Sequence, residues 1–525
     1  MTGPALTTAP DHPPMLTRAI GWISRWSVVA VTIVALATWS ASRVLHLANA
    51  DSLLPSLMST QRLTWFYWGQ DRLGNVVPTV AAPVRDERWN MTLQLFLIGL
   101  GWFTLAALFA ANHLAGRRTA GVTRPVAPSQ VAAATVIAGI VTWAALPAAT
   151  ELVFVFEQLY AFAFAMFLFG LWGVVQRGWG ARAVGAAALG AAMLINPSLV
   201  LYAPAVAVFP GVTPLRWHGR QPRPAAPIVR AFAVAAVAFL ATSLAARQFG
   251  APPGLDTGYN EFSLGKSLDH VDDAFANVGN SLRHPAALLL VAAPVVWLAW
   301  RARTLTPRLW ALYLAAPLFA LAWTLLFSGN TWVLMNALFP RYFFPLYAVG
   351  LLYVSAAAAD AAGLLAARLR APDLASGTVR RIDPGDRRRR WPAVLPLLAG
   401  AGGLVGISRV ELDTLVATRP WVDVIAAHDV DLAVGGYWAT WPVVIEARAQ
   451  GHDVLGVEGR AIAIDDLIAG RIRDDLAAGD RVTVLCTDSD AAQCTGTLNA
   501  WAPLPLAPGA VLSESPLVIE VVAAN

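Results

Sequence analysis

Residues 184–212 read VGAAALGAAMLINPSLVLYAPAVAVFPGV, an apolar run with Asn196 and Pro197 near its middle. The run is long enough for one tilted membrane crossing or, split at the proline, for two short ones. Proline removes a backbone donor and disfavours helix in the residue before it, so a break is expected here. The flanking loops decide between one crossing and two. Arg177 and Arg182 precede the run, and Arg216, Arg220, Arg223 and Arg230 follow it. Basic loops favour the cytoplasmic side, and two on one side need an even number of crossings between them. Residues 184–195 and 199–212 are therefore expected to go in and come back as half-helices. Lipid cannot satisfy backbone groups freed at such a break, so breaks of this kind line cavities enclosed by protein.

The remainder of the 525 residues has the same character. The chain is 57% hydrophobic and 14% charged, against roughly a quarter charged in soluble domains. That composition excludes an ordinary soluble protein. Basic charge is arginine in short inter-helix segments, with Lys266 the sole lysine. The formal +5 thus reports membrane orientation, and no basic stripe interleaved with aromatics suggests nucleic acid. The first apolar stretch follows Arg18 and Arg25 and reads as a retained signal-anchor helix.

Apolar segments of near-spanning length lie at 26–46, 91–113, 131–148, 152–175, 184–212, 231–245, 286–300, 309–327, 342–365 and 391–407. With the fifth counted twice, the chain crosses about eleven times. The expected fold is mainly α, a polytopic transmembrane helical bundle. Residues 1–25 form a cytoplasmic N-terminal segment, 26–407 the transmembrane domain with outer loops 47–90 and 250–285, and 408–525 a small extracytoplasmic α/β domain. In that domain 431–434, 453–457, 481–486 and 517–522 read as strands, and 438–449 and 464–477 as helices. Cys486 and Cys494 are the two cysteines; they form one disulfide in an oxidising compartment or remain free thiols. The arginine-heavy, alanine-rich usage suggests the multi-pass inner membrane of a high-GC bacterium.

Candidate chemistry concentrates in the outer segments. Asp51 follows the first span directly, where a carboxylate reaches an interfacial substrate without burial in hydrocarbon. Its bland reading is a helix end, or an N-cap for residues 52–59. Further along the loop, Trp65 to Asn75 brings together Tyr67, Trp68, Gln70, Asp71 and Arg72. Aromatic faces, an amide, a carboxylate and a guanidinium are the groups that stack on and bond to sugars and phosphates. An interfacial aromatic belt is the alternative. Arg341, between Pro340 and Tyr342, sits at the outer end of a late span, where it either clamps a phosphate or snorkels among headgroups. Glu151 and Glu157 stand near the mouth of the fourth crossing, as intramembrane functional acids or as partners of an outer-loop arginine. No histidine pair has ligand spacing, so no metal site is assigned, and these carboxylates could hold at most a hard divalent ion.

Together, Asp51 just past the first span, the long first outer loop, the broken middle helix, the Pro340-Arg341-Tyr342 start of a late span and an outer terminal domain resemble the GT-C superfamily. This superfamily of membrane glycosyltransferases includes protein O-mannosyltransferases and aminoarabinose lipid A transferases. The segment Gly436-Tyr437-Trp438-Ala439-Thr440-Trp441-Pro442 is similar to one in outer domains of bacterial members. The resemblance implies an enzyme that transfers a sugar from a polyprenyl-phosphate donor to a glycan, lipid or protein acceptor. It makes Asp51 the general base and Arg341 the holder of the departing phosphate. Many members carry paired acids at the first position, whereas Ser52 follows Asp51 here. The second acid is open among Asp71, Asp86, Glu87 and Glu151, and a divalent metal stays an option. A transporter or flippase for a lipid-linked or anionic substrate, or a non-catalytic glycan-binding assembly protein, are the rival classes.

Overall fold

The structure is a computed structural model that describes residues 15–44, 50–68, 74–117, 126–145, 160–176, 178–202, 225–249, 262–281, 285–375, 413–479 and 481–524. Its helices are α1 (Met15–Val44), α2 (Ala50–Thr60), α3 (Val76–Ala81), α4 (Glu87–Gly116), α5 (Pro128–Ala145), α6 (Tyr160–Val175) and α7 (Trp179–Ile195). After these come α8 (Ala225–Phe249), α9 (Leu264–Ser281), α10 (Pro285–Trp300), α11 (Pro307–Ser328), α12 (Thr331–Met335) and α13 (Phe344–Ala375). The terminal domain contains α14 (Asp413–His428), β1 (Leu432–Val434), α15 (Tyr437–Ala449), β2 (Leu455–Val457), α16 (Asp465–Gly479), β3 (Arg481–Cys486), α17 (Ala491–Asn499), β4 (Leu506–Glu514) and β5 (Leu517–Ala523).

The chain is mainly helical. Among the described residues, Glu87–Gly116, Val229–Phe249, Leu309–Ser328 and Pro340–Arg368 are long and apolar enough to cross a membrane. Shorter apolar helices lie at Trp26–Ser42, Pro128–Val141, Tyr160–Val175 and Trp179–Ile195. The expected last span, 391–407, is outside the described residues.

Helix α4 is the axis of the bundle, packing on α1, α2, α5, α6 and α13. Asp86 caps it by accepting from Trp89 N at 2.8 Å. At 30 residues and 1.5 Å per residue it runs about 45 Å, longer than a ~30 Å hydrocarbon core. Close contacts come from small residues. A Cβ on Gly173 of α6 would lie 2.7 Å from Gly185 Cα of α7, so the two backbones touch, as membrane helices do when dispersion drives their association.

Helix α7 stops at Ile195, and Pro197–Tyr202 continues as a 3₁₀ turn. The break falls where the proline requires it. The expected second half-helix, 199–212, is 3₁₀ through Tyr202 instead of α, and its remainder is outside the described residues. Near the break, Gly74 N donates to Leu194 O at 2.9 Å. The first long loop therefore sits against the end of α7.

The contacts define two ends of the bundle. At one, Arg117 and Arg301 meet Asp360, and Arg117 pairs as a short bridge with Leu305. Arg182 bonds Gln176 O and Arg230 bonds Val174 O at the start of α7, opposite Leu194 and the first loop. All four arginines thus occupy one end. Glu87, α2 and α3 occupy the other.

The terminal domain has a five-stranded sheet in the order β2-β1-β3-β5-β4, with β1, β2 and β3 parallel and the β4–β5 pair antiparallel. The six elements expected there exist, with ends shifted by a few residues. Strand β1 starts at Leu432, and beside it the Asp431 carboxylate accepts from Thr483 N at 3.1 Å. Three further elements were not expected: α14, α17 and β4. Pro508 and Gly509 disguise β4, and it tolerates them because it is the edge strand, where a missing donor faces no neighbour. Cys486 and Cys494 are disulfide-bonded, tying the end of β3 to α17.

The domain docks on the first loop at the end opposite the arginines. Trp441 of α15 meets the edge of Trp68 at 6.0 Å between ring centroids. Arg448 reaches Glu87 at 3.2 Å, and Arg62 pairs with Asp466 and bonds Ala463 O at 3.1 Å.

Candidate functional site

Helix α2 lies across the domain-bearing end of α4. Its face of Leu53, Leu54, Leu57 and Met58 is buried. Ser56 Oγ donates to Glu87 O at 2.8 Å and Ser59 Oγ to Pro78 O at 2.9 Å, so the helix is bolted at two points. Asp51 is in its first turn. The helix starts at Ala50, so Asp51 is not the N-cap of a segment starting at Ser52.

The first-loop motif folds back on itself. Phe66 and Gly74 pair antiparallel, and Asn75 Nδ2 bonds Thr64 O at 3.0 Å and Phe66 O at 2.8 Å. One arm of this stem carries Tyr67 and the buried Trp68, whose Nε1 donates to Arg62 O at 3.0 Å. Trp68 is thus a docking residue for the terminal domain, a role its composition did not signal. Gln70, Asp71 and Arg72 lie outside the described residues, as do Glu151 and Glu157.

Arg341 stands in the 3₁₀ turn Pro340–Phe343 ahead of α13. Its guanidinium lies over the rings of Tyr342 and Phe339, 4.9 and 5.8 Å from their centroids, and donates to Tyr342 Oη at 2.8 Å. Aromatic faces hold a guanidinium where water is scarce, which a freely snorkelling arginine does not require. Tyr342 is buried, and its carbonyl accepts from Trp323 Nε1 at 3.1 Å. The preceding residues, Ala337 and Leu338, both have φ of 51°. Two successive non-glycine residues in the left-handed region cost about 1–2 kcal/mol each, and such strain collects where a structure holds a functional group in place.

Phe344, three residues on, packs against Trp102 of α4 and Phe164 of α6. This contact sets the height of Arg341. Gly99 lies against Ala37 of α1, so Val44 at the end of α1 sits roughly 10 Å nearer the domain end. Arg341, three positions before Phe344, therefore stands near the level of Gly99, roughly 10 Å from the level of Val44. Asp360, sixteen positions after Phe344, is about 24 Å away along α13.

Sequence reading missed the cluster around Asp360. This buried carboxylate accepts from Arg117 Nη1 at 2.6 Å, Trp297 Nε1 at 3.1 Å and Arg301 Nε at 3.3 Å, with His113 Nε2 at 3.1 Å. His113 Nδ1 in turn lies 2.8 Å from Tyr313 Oη. Four groups on α4, α10 and the residues just past their ends meet a lone acid of α13 in an otherwise apolar span, and Tyr313 of α11 stands behind His113. A single carboxylate within such a span is itself the signal.

Among the described residues, no group of three or more His, Cys, Asp or Glu side chains converges as metal ligands would. No protein-family model matches the chain, and no curated protein matches it.

Proposed function

We propose that the protein is a multi-pass membrane glycosyltransferase of GT-C type. It moves a sugar from a polyprenyl-phosphate donor to an extracytoplasmic glycan, lipid or protein acceptor. The observation that supports the reading is Arg341, held in an aromatic and strained setting at the start of a late span; Asp51, in the first turn of α2, joins it through the resemblance.

The chemistry follows from these groups. The acceptor hydroxyl oxygen attacks the anomeric carbon, and the bond from that carbon to the phosphate oxygen breaks. Asp51 takes the hydroxyl proton, and the lipid phosphate leaves with the bond pair. Arg341 and Tyr342 stabilise the charge gathering on that phosphate, which is worth most in a dry, pre-arranged site. Tyr67, Gln70 and Arg72 are the candidates for contact with the donor sugar, while Trp68 is taken up by the docked terminal domain. Asp71 and Glu151 are the candidates for a second acid, and a divalent ion held by such carboxylates is compatible with the chemistry.

Orientation follows the charge. With the arginine end cytoplasmic, about eleven crossings place the N-terminus inside and the terminal domain outside, in a bacterial inner membrane. The Cys486–Cys494 disulfide suits an oxidising side. A transporter would use a buried ionisable group near the midplane; Asp360 favours that class by its burial but lies at the arginine end, about 24 Å from Phe344.

The test is reconstitution in vesicles with polyprenyl-phosphate sugars. Asp51→Asn should lower transfer by about 10²–10⁴-fold, with folding retained. Equal transfer by both proteins removes Asp51 from the mechanism.

A further inference from the structure

Helix α9 crosses the domain-bearing end of the bundle. Near its start, Ser267 O accepts from Ser328 Oγ at 3.1 Å, and Ser263 N donates to Gly329 O at 3.3 Å, at the last residues of α11. Its final residue is four positions before the first residue of α10, which runs from this level to the arginine end. Both ends of α9 thus lie at one height, and the helix runs along the surface of the bundle.

Its three faces differ. Ser267, Ala274 and Val278 are buried against the protein. Leu264, Leu268 and Phe275 are 66%, 62% and 37% exposed, yet fall within about 40° of one another at 100° per residue. Asp269 and Asp273 lie about 120° and 160° from the centre of that stripe, and Asp272 at its margin. An apolar stripe beside a buried face, with Asp269 and Asp273 turned away, suits a helix lying in a headgroup layer. Exposed apolar residues on the neighbouring α11, Leu314, Leu318 and Leu321, continue the stripe toward the hydrocarbon. From its buried side, Asn277 Nδ2 donates to Ala337 O at 3.1 Å and to Leu338 O at 3.4 Å. Those are the two left-handed residues ahead of Arg341.

We propose that α9 is a membrane-seated lip, its Leu264–Leu268–Phe275 stripe inserted in the lipid surface, and that Asn277 is the positioning residue that holds the Arg341 turn to it. The partner is the lipid surface itself, engaged by apolar insertion without need of anionic headgroups, because the acids would repel them. The consequence for donor capture rests on the reading of Arg341 given above; the seating and the clamp do not.

The test uses the full chain in phosphatidylcholine vesicles. Both native cysteines are disulfide-bonded, so Leu268→Cys, Phe275→Cys and Asp273→Cys each add one reactive thiol for a nitroxide label. Labels at 268 and 275 should be relaxed by oxygen more than by a water-soluble nickel chelate, and the label at 273 the reverse. Nickel-dominated relaxation at all three positions overturns the seating. Asn277→Asp keeps the shape and removes the donor, and amide exchange over 336–342 should then rise about tenfold; unchanged exchange overturns the clamp. Affinity for a short polyprenyl phosphate reads the separate question. If Arg341→Ala binds it as the wild type does, the proposed function fails, while α9 is still decided by the labels and the exchange.

Discussion

At the scale of single residues, Asp360 carries the sharpest prediction for stability. One buried carboxylate answers Arg117 and Arg301 together, with His113 and Trp297 completing its shell. Removing one partner of a buried ion pair leaves the other uncompensated and costs about 3–5 kcal/mol. Asp360→Ala should destabilise the bundle by that order in a detergent unfolding titration, and an unchanged midpoint would show that water reaches the arginines. Asp475 of α16 makes a prediction about pH. Burial, then repulsion from Asp431 and its acidic neighbours, lifts its carboxyl to about 6, with Arg471 opposing. Asp431 is raised too, first by its burial. A folded-state value above the unfolded one means that the unfolded chain gives up its proton first. Stability contributed by this group therefore falls as pH rises from about 4 to about 6 and stays low above. Asp453 and Asp466 are shifted the other way: burial of Asp453 is outweighed by Arg448 and Arg471, and Arg62 holds Asp466 down. Their effect is lost only at more acid pH, outside this window. Asp475→Asn should shrink the loss of terminal-domain melting temperature between pH 4.5 and 7. An identical loss in variant and wild type would rule Asp475 out as its source.

At the scale of elements, close helix contact and its interruption both trace to particular residues. Gly173 and Gly185 allow α6 and α7 to meet backbone to backbone. Gly173→Val inserts a side chain where even a Cβ has no room, and overpacking of this kind costs about 1–3 kcal/mol. Thermal unfolding in detergent should show the loss, with Gly178→Ala, which meets nothing within 4 Å, as the neutral control; equal effects would remove the packing argument. The break in α7 was legible because Pro197 has one local meaning in an apolar run. The strand β4 was illegible because Pro508 and Gly509 carry turn chemistry that an edge strand overrides. Helix α9 was equally hidden: its acids suggested a plain outer loop, and the apolar stripe emerges only once the buried face is known. At the candidate site, Arg341 stood out by charge in an apolar setting. Asn277 did not, since a lone amide gains its role from a turn 60 residues away, and no spacing rule connects the two.

At the scale of the whole molecule, the described contacts that hold the terminal domain to the first loop and the start of α4 include one aromatic pair and two ion pairs, and their weights differ. Arg62–Asp466 and Arg448–Glu87 are at least partly hydrated, and such pairs are worth about 0–1 kcal/mol. Trp68 is 1% exposed and its ring meets Trp441 at the centre of the interface, the setting in which a single aromatic contributes about 2–4 kcal/mol. Trp441 also fills the terminal domain's own core against Gly456, so truncating it would confuse docking with folding; Trp68 lies on the other partner and separates the two. Trp68→Ala should raise amide exchange on the Trp68-facing turns of α15 well above that in Arg62→Ala or Arg448→Ala, while exchange in β3 and β5 stays at its wild-type level. Raised ionic strength should move the arginine contacts and leave the tryptophan contribution in place, because screening acts on exposed charge and not on buried apolar area. If the arginine variants open α15 more than Trp68→Ala does, charge and not apolar burial holds the domain on the bundle.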